Sequence, residues 1–332
     1  MGEGVTRQPI VIAHRGASGE RPEHTMAAYR LAIEQGADFI EPDLVMTRDG
    51  VLVCRHENEI SGTTDVAERP EFAERRTQKT VDGVTAIGWW VEDFTLAELK
   101  TLRCKERLPQ LRPANMAYNA QQEIPTFDEA MALAAEAGVG IYPELKHPTY
   151  LRETGLDPIG ALVRAVRDAG GQNAADRTIV QCFEIGVLRT LAQMSSIRWS
   201  CVQLVSLRGG PWDRRELSYA QMLSDDGLRA IAEYANGIGV EKALIIPRGD
   251  DGRSLEPTDL IARAHAANLR VHAWTFRAEN YFLPAELRRG EASSPDFMRQ
   301  HGDLDVELRR FYAAGVDGVF SDFPGAAAAA RR

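Results

Sequence analysis

Cysteine is scarce in this sequence, with four residues in 332 and no pair at C-x-x-C spacing. Thiolate zinc sites and dithiol redox motifs need that spacing, so both kinds of site are excluded. Cys54, Cys182 and Cys201 fall in apolar runs typical of strands. Free cysteine is among the most buried residue types, and we therefore expect inert, buried thiols at these positions.

Long apolar runs are also missing. No segment approaches the roughly 20 apolar residues that cross a bilayer, so stable membrane insertion is not expected. Residues 1–7 carry no basic patch followed by an apolar stretch, and no secretory signal is predicted. We expect a cytoplasmic protein, or a periplasmic or secreted one if a signal has been removed.

Basic residues do not outnumber acidic ones, and the formal net charge is −9. Nucleic acids and membrane surfaces bind to basic faces, so neither is expected as a partner. An acidic protein can still bind a small anionic ester if a metal ion and a few local cations reverse the sign of the cleft. A small-molecule substrate is therefore the expected partner, and the oligomeric state is left open.

Strand-like apolar runs alternate with amphipathic helical patterns along most of the chain. The predicted strands are 10–13, 39–45, 51–55, 140–143, 178–182, 200–205, 243–247, 270–274 and 315–320. The predicted helices are 24–35, 126–137, 158–168, 184–194, 225–235 and 257–268. This alternation predicts one α/β domain, residues 1–332, with a parallel sheet or barrel.

One early connection is a hairpin instead of a helical crossover. The second and third predicted strands are separated by a short polar turn that contains Asp49 and Gly50, a dipeptide that favours a tight hairpin. With a two-residue loop, Asp43 is expected opposite His56, and Glu41 lies on the same strand face as Asp43.

The alternation stops between residues 59 and 122. This stretch is charged and irregular, and it contains the adjacent tryptophans Trp89 and Trp90. It is longer than ordinary barrel loops, and a linker would not carry two adjacent tryptophans. We predict a small insertion over the mouth of the barrel, and a second long connection at 281–303.

His14, Arg15 and Gly16 directly follow the first predicted strand. In a parallel α/β barrel, functional residues lie at the carboxyl ends of strands. Gly16 would allow a tight turn whose backbone amides face an anion. A His-Arg pair is common by chance, so a capped or exposed pair without function is the alternative.

Three carboxylates, Glu41, Asp43 and Glu144, also lie at or near strand ends. A strand places Glu41 and Asp43 on one face, and their apolar neighbours make burial costly without a compensating cation. Three carboxylates suit a hard cation such as Ca²⁺ or Mg²⁺. A solvated strand face, and an ion pair between Glu144 and Lys146, are the alternatives.

Several motifs occur together in a specific order. They are His14-Arg-Gly-Ala-Ser-Gly, Pro22-Glu-His-Thr25, Gly36-Ala-Asp-Phe-Ile-Glu-Pro-Asp43, Thr47-Arg-Asp-Gly50, His56, Pro143-Glu-Leu-Lys146, Gln181-Cys-Phe183, Val271-His-Ala-Trp-Thr275 and Gly315-Val-Asp-Gly-Val-Phe-Ser-Asp322. In order and spacing they resemble the glycerophosphodiester phosphodiesterase family. The insertion, with Thr63-Thr-Asp65 and Asp93-Phe-Thr-Leu96, is similar to that of bacterial members acting on small glycerophosphodiesters.

The resemblance implies a TIM-type (β/α)8 barrel and metal-dependent hydrolysis of glycerophosphodiesters to sn-glycerol 3-phosphate and an alcohol. It also implies a role for each matching residue. The divalent cation, Ca²⁺ or Mg²⁺, would be held by Glu41, Asp43 and Glu144, the acid–base pair would be His14 and His56, the phosphate would be held by Arg15 and Lys146, and the substrate pocket would include Glu23, Phe183 and Trp274.

One residue departs from the family pattern. Glu57 stands directly after His56, where the family usually has Asp. The longer side chain can still accept a hydrogen bond, but the orientation that it would give His56 is open. Glu57 is not expected to be a metal ligand.

Two other functions stay open. A phospholipase D-like or lysophospholipid-cleaving enzyme would use the same barrel, metal and histidines, and Trp89 and Trp90 are the one hint of the hydrophobic access loop it would need. A catalytically silent glycerophosphodiester-binding protein would usually have lost a metal ligand or a histidine. This chain retains all three carboxylates and both histidines. The alcohol group, the identity of the ion and the nucleophile, water or a glycerol hydroxyl, are left open.

Overall fold

Parallel strands and helices alternate along residues 8–332, the part of the chain that the computed structural model describes. The strands are β1 (Ile10–His14), β2 (Phe39–Glu41), β3 (Asp43–Met46), β4 (Leu52–Cys54), β5 (Thr77–Val81), β6 (Val84–Gly88), β7 (Gly140–Ile141), β8 (Glu144–Leu145), β9 (Ile179–Cys182), β10 (Ser200–Val205), β11 (Gly237–Glu241), β12 (Arg270–Phe276) and β13 (Gly318–Ser321). The α-helices are α1 (Met26–Glu34), α2 (Leu96–Leu99), α3 (Phe127–Ala137), α4 (Pro148–Glu153), α5 (Pro158–Asp168), α6 (Gln172–Ala175), α7 (Ile185–Ala192), α8 (Tyr219–Met222), α9 (Asp225–Ala232), α10 (Leu260–Ala266), α11 (Leu304–Ala314) and α12 (Pro324–Ala330).

The parallel strands form a ring. β1 pairs with β2 on one side and with β13 on the other, and from β13 the order continues through β12, β11, β10 and β9 to β8. β8 pairs with β3, which follows β2 along the chain. The predicted TIM-type (β/α)8 barrel is therefore confirmed.

Two strands of the ring are each interrupted once, at a proline. Pro42 separates β2 from β3, and Pro143 lies between β7 and β8. Proline has no backbone N–H to donate to a ladder, which accounts for both breaks. The halves keep one register, since Phe39 pairs with Gly140 before the breaks and Asp43 with Glu144 after them.

The prediction of a strand at 243–247 is wrong. The observed strand in this part of the chain is β11, a few residues earlier, and a short 3₁₀-helix (Lys242–Leu244) follows it. Gly239 of β11 is so close to the neighbouring strand that a Cβ there would lie 2.6 Å from Leu204 Cδ2. Because the barrel requires small residues here, the true strand has a weaker apolar pattern than the run after it.

The predicted hairpin exists, but its register is wrong. Leu44 pairs with Cys54 and Met46 with Leu52. The Asp43 carbonyl accepts from Arg55 N at 3.0 Å, so Asp43 lies opposite Arg55 instead of His56. The physical reason is a loop one residue longer than expected, with Gly50 in the left-handed region at φ +83°. Three-residue hairpin loops commonly end in such a glycine.

The chain between β4 and α3 forms a second apolar cluster, which packs on Val45 and Val53 of the hairpin. Trp89 belongs to this cluster and Trp90 is also buried, and their indole N–H groups donate to the Phe72 and Thr77 carbonyls at 2.6 and 3.0 Å. The antiparallel strands β5 and β6 belong to the same region. The boundaries 59–122, and a single domain over 1–332, stay predictions; residues 1–7 lie outside the described part of the chain.

All four cysteines are buried and free, as expected for three of them.

Along residues 8–332, none of the helices combines the length and the apolar character needed to cross a bilayer.

The tight turn after β1 yields a stability prediction. Gly16 and Gly50 have nearly the same φ, +85° and +83°, so alanine at either position should cost about 1–2 kcal/mol of backbone strain. A Cβ at Gly16 would also lie 2.7 Å from the Ala28 carbonyl carbon, whereas nothing lies within 4 Å at Gly50. We expect Gly16→Ala to lower the melting temperature clearly more than Gly50→Ala, and equal losses in thermal unfolding would contradict this steric argument.

Candidate active site and metal centre

Three buried carboxylates converge at one edge of the barrel. Glu41 ends β2, Asp43 begins β3 and Glu144 begins β8, and each offers an oxygen within 4.8 Å of the other two. Asp43 and Glu144 are direct partners on neighbouring strands, whereas Glu41 and Asp43 flank Pro42. The predicted ligand set is therefore brought together by the strand register.

Two cations lie against these carboxylates. Lys146 Nζ is 2.8 Å from Glu144 Oε1 and 3.1 Å from Asp43 Oδ1. Arg15 donates from its backbone N to Glu41 Oε2 at 2.8 Å, and its Nε lies 3.2 Å from Asp43 Oδ2. Both predicted phosphate-binding residues are thus at the carboxylate cluster, with their side chains largely buried.

Burial and mutual repulsion change the acidity of the three carboxyl groups. Burial raises the pKa of Glu41 well above its usual range, and the neighbouring Asp43 and Glu144 raise it further. Burial also raises the pKa of Glu144 to about 8, although Lys146 opposes this. Burial would also raise the pKa of Asp43, but its electrostatic interactions with Lys146, His56 and Arg15 together hold that pKa well below the usual range.

The cluster fits a divalent cation. Two of its three carboxyl groups are disfavoured as anions in the protein alone, and a doubly charged ion would remove that penalty. All the candidate donors are carboxylate oxygens, which hard cations such as Ca²⁺ and Mg²⁺ prefer. Glu41, Asp43 and Glu144 are therefore the residues that would hold such an ion.

His14 lies at the end of β1 and is bonded to a carboxylate. Its Nδ1 donates to Asp322 Oδ1 at 2.6 Å, and Asp322 directly follows β13, the neighbouring strand. Burial and the nearby Arg15 lower the pKa of His14 to about 4, against the opposing effect of Asp322. The bond fixes the ring with Nδ1 protonated, which leaves Nε2 to accept a proton.

His56 follows β4 and has an equivalent partner. Its Nδ1 is 2.5 Å from Glu57 Oε1, so glutamate reaches the ring where the family usually has aspartate. Burial, Arg15 and Lys146 lower the pKa of His56 to about 3. Burial would raise the pKa of Glu57, but its bonds with His56 and Arg107 hold it well below the usual range.

These groups face a cavity of about 620 Å³. The predicted site residues that line it are His14, Arg15, Glu41, Asp43, His56, Glu144, Lys146, Phe183 and Trp274. Phe183 and Trp274 meet edge to face, with ring centroids 6.2 Å apart. Glu23 is not in the lining; it is buried and bonded to Arg15 Nη1 at 3.0 Å and to Arg107.

The sequence of the chain matches the "Glycerophosphoryl diester phosphodiesterase family" over residues 14–326, which contain every residue of this site. The chain belongs to that family. Relatives that match nearly the whole chain are glycerophosphodiester phosphodiesterases, so the protein is a phosphoric diester hydrolase.

Curated relatives of the family cover nearly the whole chain. A glycerophosphodiester phosphodiesterase of Arabidopsis thaliana, GDPD6, is 36% identical over 96% of this chain and 85% of its own length. One from Haemophilus influenzae is 27% identical over 95% of this chain and 87% of its own length. Because the relatives include plant and bacterial proteins, the bacterial type suggested by the insertion stays a prediction.

Solved structures of the family have the same fold. A Silicibacter pomeroyi protein described as a putative glycerophosphoryl diester phosphodiesterase superposes with a TM-score of 0.67 at 21% identity, over 98% of this chain and 93% of that one. An Oleispira antarctica phosphodiesterase in complex with the product sn-glycerol-3-phosphate superposes with a TM-score of 0.63 at 23% identity, over 97% of this chain and 96% of that one.

Several side chains around the family site were not among the predicted residues. Gln181 Nε2 donates to Glu41 Oε1 at 2.9 Å, and Arg277 Nε donates to Asp322 Oδ2 at 2.9 Å. Gln181 and Asp322 stand in the family-like motifs, so their place at strand ends could have identified them. Arg107 lies in the irregular insertion, where sequence periodicity gives no signal.

His24 stands in the Pro22-Glu-His-Thr25 motif, next to Glu23. It is completely buried, with Nε2 2.9 Å from Asp43 Oδ2 and Nδ1 2.8 Å from Tyr29 Oη. The ring therefore holds a candidate ligand in place and does not itself line the cavity.

The metal site can be tested by thermal unfolding, without an activity assay. Ca²⁺ or Mg²⁺ added to chelator-treated protein should raise the melting temperature, since a ligand at 100 times its Kd stabilises the folded state by about 2.7 kcal/mol. Glu144→Gln should lose most of this shift, because it removes one candidate ligand while keeping the shape. Glu153→Gln, at an exposed position of α4, is the control and should keep it. Equal shifts in both variants would argue against the cluster as the binding site.

Proposed function

We propose that the protein hydrolyses small glycerophosphodiesters to sn-glycerol 3-phosphate and an alcohol, with a divalent cation and two histidines as acid and base. The observation that supports this most directly is the shared cavity. It brings the three carboxylates, Arg15 and Lys146 together with both histidines, each of which is bonded to a further carboxylate. These are the groups that a phosphodiester needs for binding, charge neutralisation and proton transfer.

Arg15 and Lys146 would bind the phosphate. Both side chains lie at the cavity and are held against the carboxylate cluster, so their charges are fixed in place before substrate enters. Preorganised cations stabilise charge that develops on the ester oxygens without reorganisation during the reaction. A cation held by Glu41, Asp43 and Glu144 would add Lewis-acid polarisation of a phosphoryl oxygen.

His14 and His56 would transfer the protons. Each has Nδ1 on a carboxylate, and the lowered pKa values, about 4 and about 3, keep both rings neutral near pH 7 before the reaction begins. One ring would take the proton of the nucleophile at Nε2. The other would have to gain a proton before giving it to the departing alkoxide, which is a poor leaving group without one. The nucleophile is water or the neighbouring glycerol hydroxyl.

The lysophospholipid-cleaving alternative is less well supported. Its one sequence hint was a hydrophobic access loop at Trp89 and Trp90, and both side chains are buried in the insertion. A silent binding protein is also disfavoured, because His14, His56 and all three carboxylates line one cavity.

The first test is release of glycerol 3-phosphate from glycerophosphocholine. Turnover should disappear with EDTA and return with Ca²⁺ or Mg²⁺, because the chelator removes the ion that would polarise a phosphoryl oxygen. Lysophosphatidylcholine serves as the comparison substrate. Faster turnover of the lysolipid, or no turnover of any small diester with either ion, would overturn the proposed substrate class.

Removal of either histidine should nearly abolish turnover. Positioned acid–base groups contribute roughly 10²–10⁴-fold each, so His14→Ala and His56→Ala should each lose on that order in kcat. His265→Ala is the matched control, because His265 is partly exposed on α10 and is bonded to Asp317. Near-wild-type kcat in a variant that unfolds at the wild-type temperature would remove that histidine from the mechanism.

A further inference from the structure

Arg107 of the insertion is bonded to the carboxylate that holds His56. Its Nη1 and Nη2 donate to Glu57 Oε1 and Oε2 at 2.8 and 2.5 Å. Its Nε and Nη2 also donate to the two oxygens of Glu23, at 2.7 and 2.6 Å. One guanidinium is therefore hydrogen-bonded to two carboxylates. Glu57 cannot rotate away from His56 without breaking its bonds with Arg107.

Arg112, five positions later in the same segment, is bonded to the carboxylate that holds His14. Its Nη2 donates to Asp322 Oδ2 at 2.5 Å, whereas His14 is bonded to the other oxygen, Oδ1. Arg112 is nearly completely buried and also donates to Glu279 Oε1 at 2.5 Å and to the Ser18 carbonyl at 2.8 Å.

The segment that carries both arginines, residues 105–112, has a defined shape. Glu106 accepts from Leu108 N at 2.8 Å and from Asn115 Nδ2 at 2.9 Å, and Arg112 N donates to the Leu108 carbonyl at 2.8 Å. Lys105 N donates to the Thr63 carbonyl at 2.9 Å, which connects the segment to the rest of the insertion. A segment held in this way can position its arginines on the barrel.

We propose that the 105–112 segment is a positioning element for both histidines, in which Arg107 acts through Glu57 on His56 and Arg112 acts through Asp322 on His14. This inference rests on the proposed role of the two histidines and goes beyond it. It assigns to the insertion a part in proton transfer, in addition to any part in shaping the cavity mouth.

The physical effect is on the ring tautomer and its orientation. A carboxylate that accepts from Nδ1 keeps the proton there and leaves Nε2 available, and an arginine on its other side keeps the carboxylate in place. For residues that bind a metal, loss of such an outer partner typically costs about 10–100-fold in activity, and we expect a loss of the same order here.

A purely structural role for Arg107 would attach the insertion to the barrel and nothing more. A kinetic double-mutant cycle between Arg107→Met and Glu57→Gln separates the two roles, since residues that act through one another lose activity non-additively. Each single variant should lower kcat by about 10–100-fold. The double variant should lose no more than the more affected single variant. Multiplicative losses, or an unchanged kcat in Arg107→Met, would overturn the proposal for this arm.

Arg103→Met is the matched control. Arg103 belongs to the same insertion, but its guanidinium donates to the carbonyls of Lys100, Thr101 and Leu102. It is not bonded to Glu57 or Asp322, the carboxylates that hold the two histidines. It should keep the wild-type kcat and melting temperature. A loss of kcat in this variant equal to that of Arg107→Met would mean that general damage to the insertion explains both.

A spectroscopic measurement keeps the test independent of the reaction. The chain has seven histidines, so ¹H–¹⁵N correlation of the imidazole nitrogens can follow each ring. Wild-type protein and Arg103→Met should show His56 protonated at Nδ1 near pH 7, and Arg107→Met should show a mixture of tautomers. An unchanged His56 spectrum in Arg107→Met would overturn the proposal even in a protein without diesterase activity, whereas a changed one would support it even if the proposed substrate is wrong.

The second arm is tested with Arg112→Lys, because full removal would leave Glu279 buried without its charged partner and the protein could fail to fold, although Asp322 would keep its bond from Arg277. Lysine keeps the charge but cannot bond both carboxylates in the geometry of a guanidinium. We expect the His14 tautomer to become mixed and kcat to fall about 10-fold, while His56 is unaffected. A folded Arg112→Lys protein with the wild-type His14 spectrum would overturn this arm.

Discussion

The structure depends on the placement of three carboxylates within 4.8 Å of one another in a buried position. Buried charges are costly unless they are paired and hydrogen-bonded. The side chains that surround the cluster provide these ion pairs and hydrogen bonds. Lys146 and Arg15 bring positive charge, and Gln181 and His24 bring donors. The groups that neutralise the cluster are also those expected to bind a phosphate, which is why the structural and functional demands coincide here.

The backbone near this cluster adopts unfavourable conformations. Arg15 and His24 have φ values of +59° and +51°, in the region that side chains other than glycine rarely adopt. Such residues cost about 1–3 kcal/mol each and persist where the surroundings fix them. Arg15 is fixed by its backbone bond to Glu41, and His24 by bonds from both ring nitrogens. The strain is thus located at two residues that are bonded to candidate metal ligands, Arg15 to Glu41 and His24 to Asp43.

The insertion completes the site from outside the barrel. Arg107 bonds to Glu23, 84 positions earlier, and Arg112 bonds to Asp322, 210 positions later. These contacts bring the first strand, the last strand and the hairpin into one hydrogen-bonded network. His14 ends β1 and His56 follows β4, yet both are bonded through a carboxylate to the same short segment.

The sequence by itself determined the alternation of strands and helices, the family and nine of the residues that line the cavity, because these depend on periodicity and on short motifs at strand ends. Tertiary structure decided the hairpin register, where one additional loop residue moved Arg55 opposite Asp43, and the position of β11, where packing on Leu204 requires glycine. It also decided that Arg107 and Arg112 reach Glu57 and Asp322. An irregular segment has no period that reveals its partners, and a contact over 210 positions exists only once the barrel has closed.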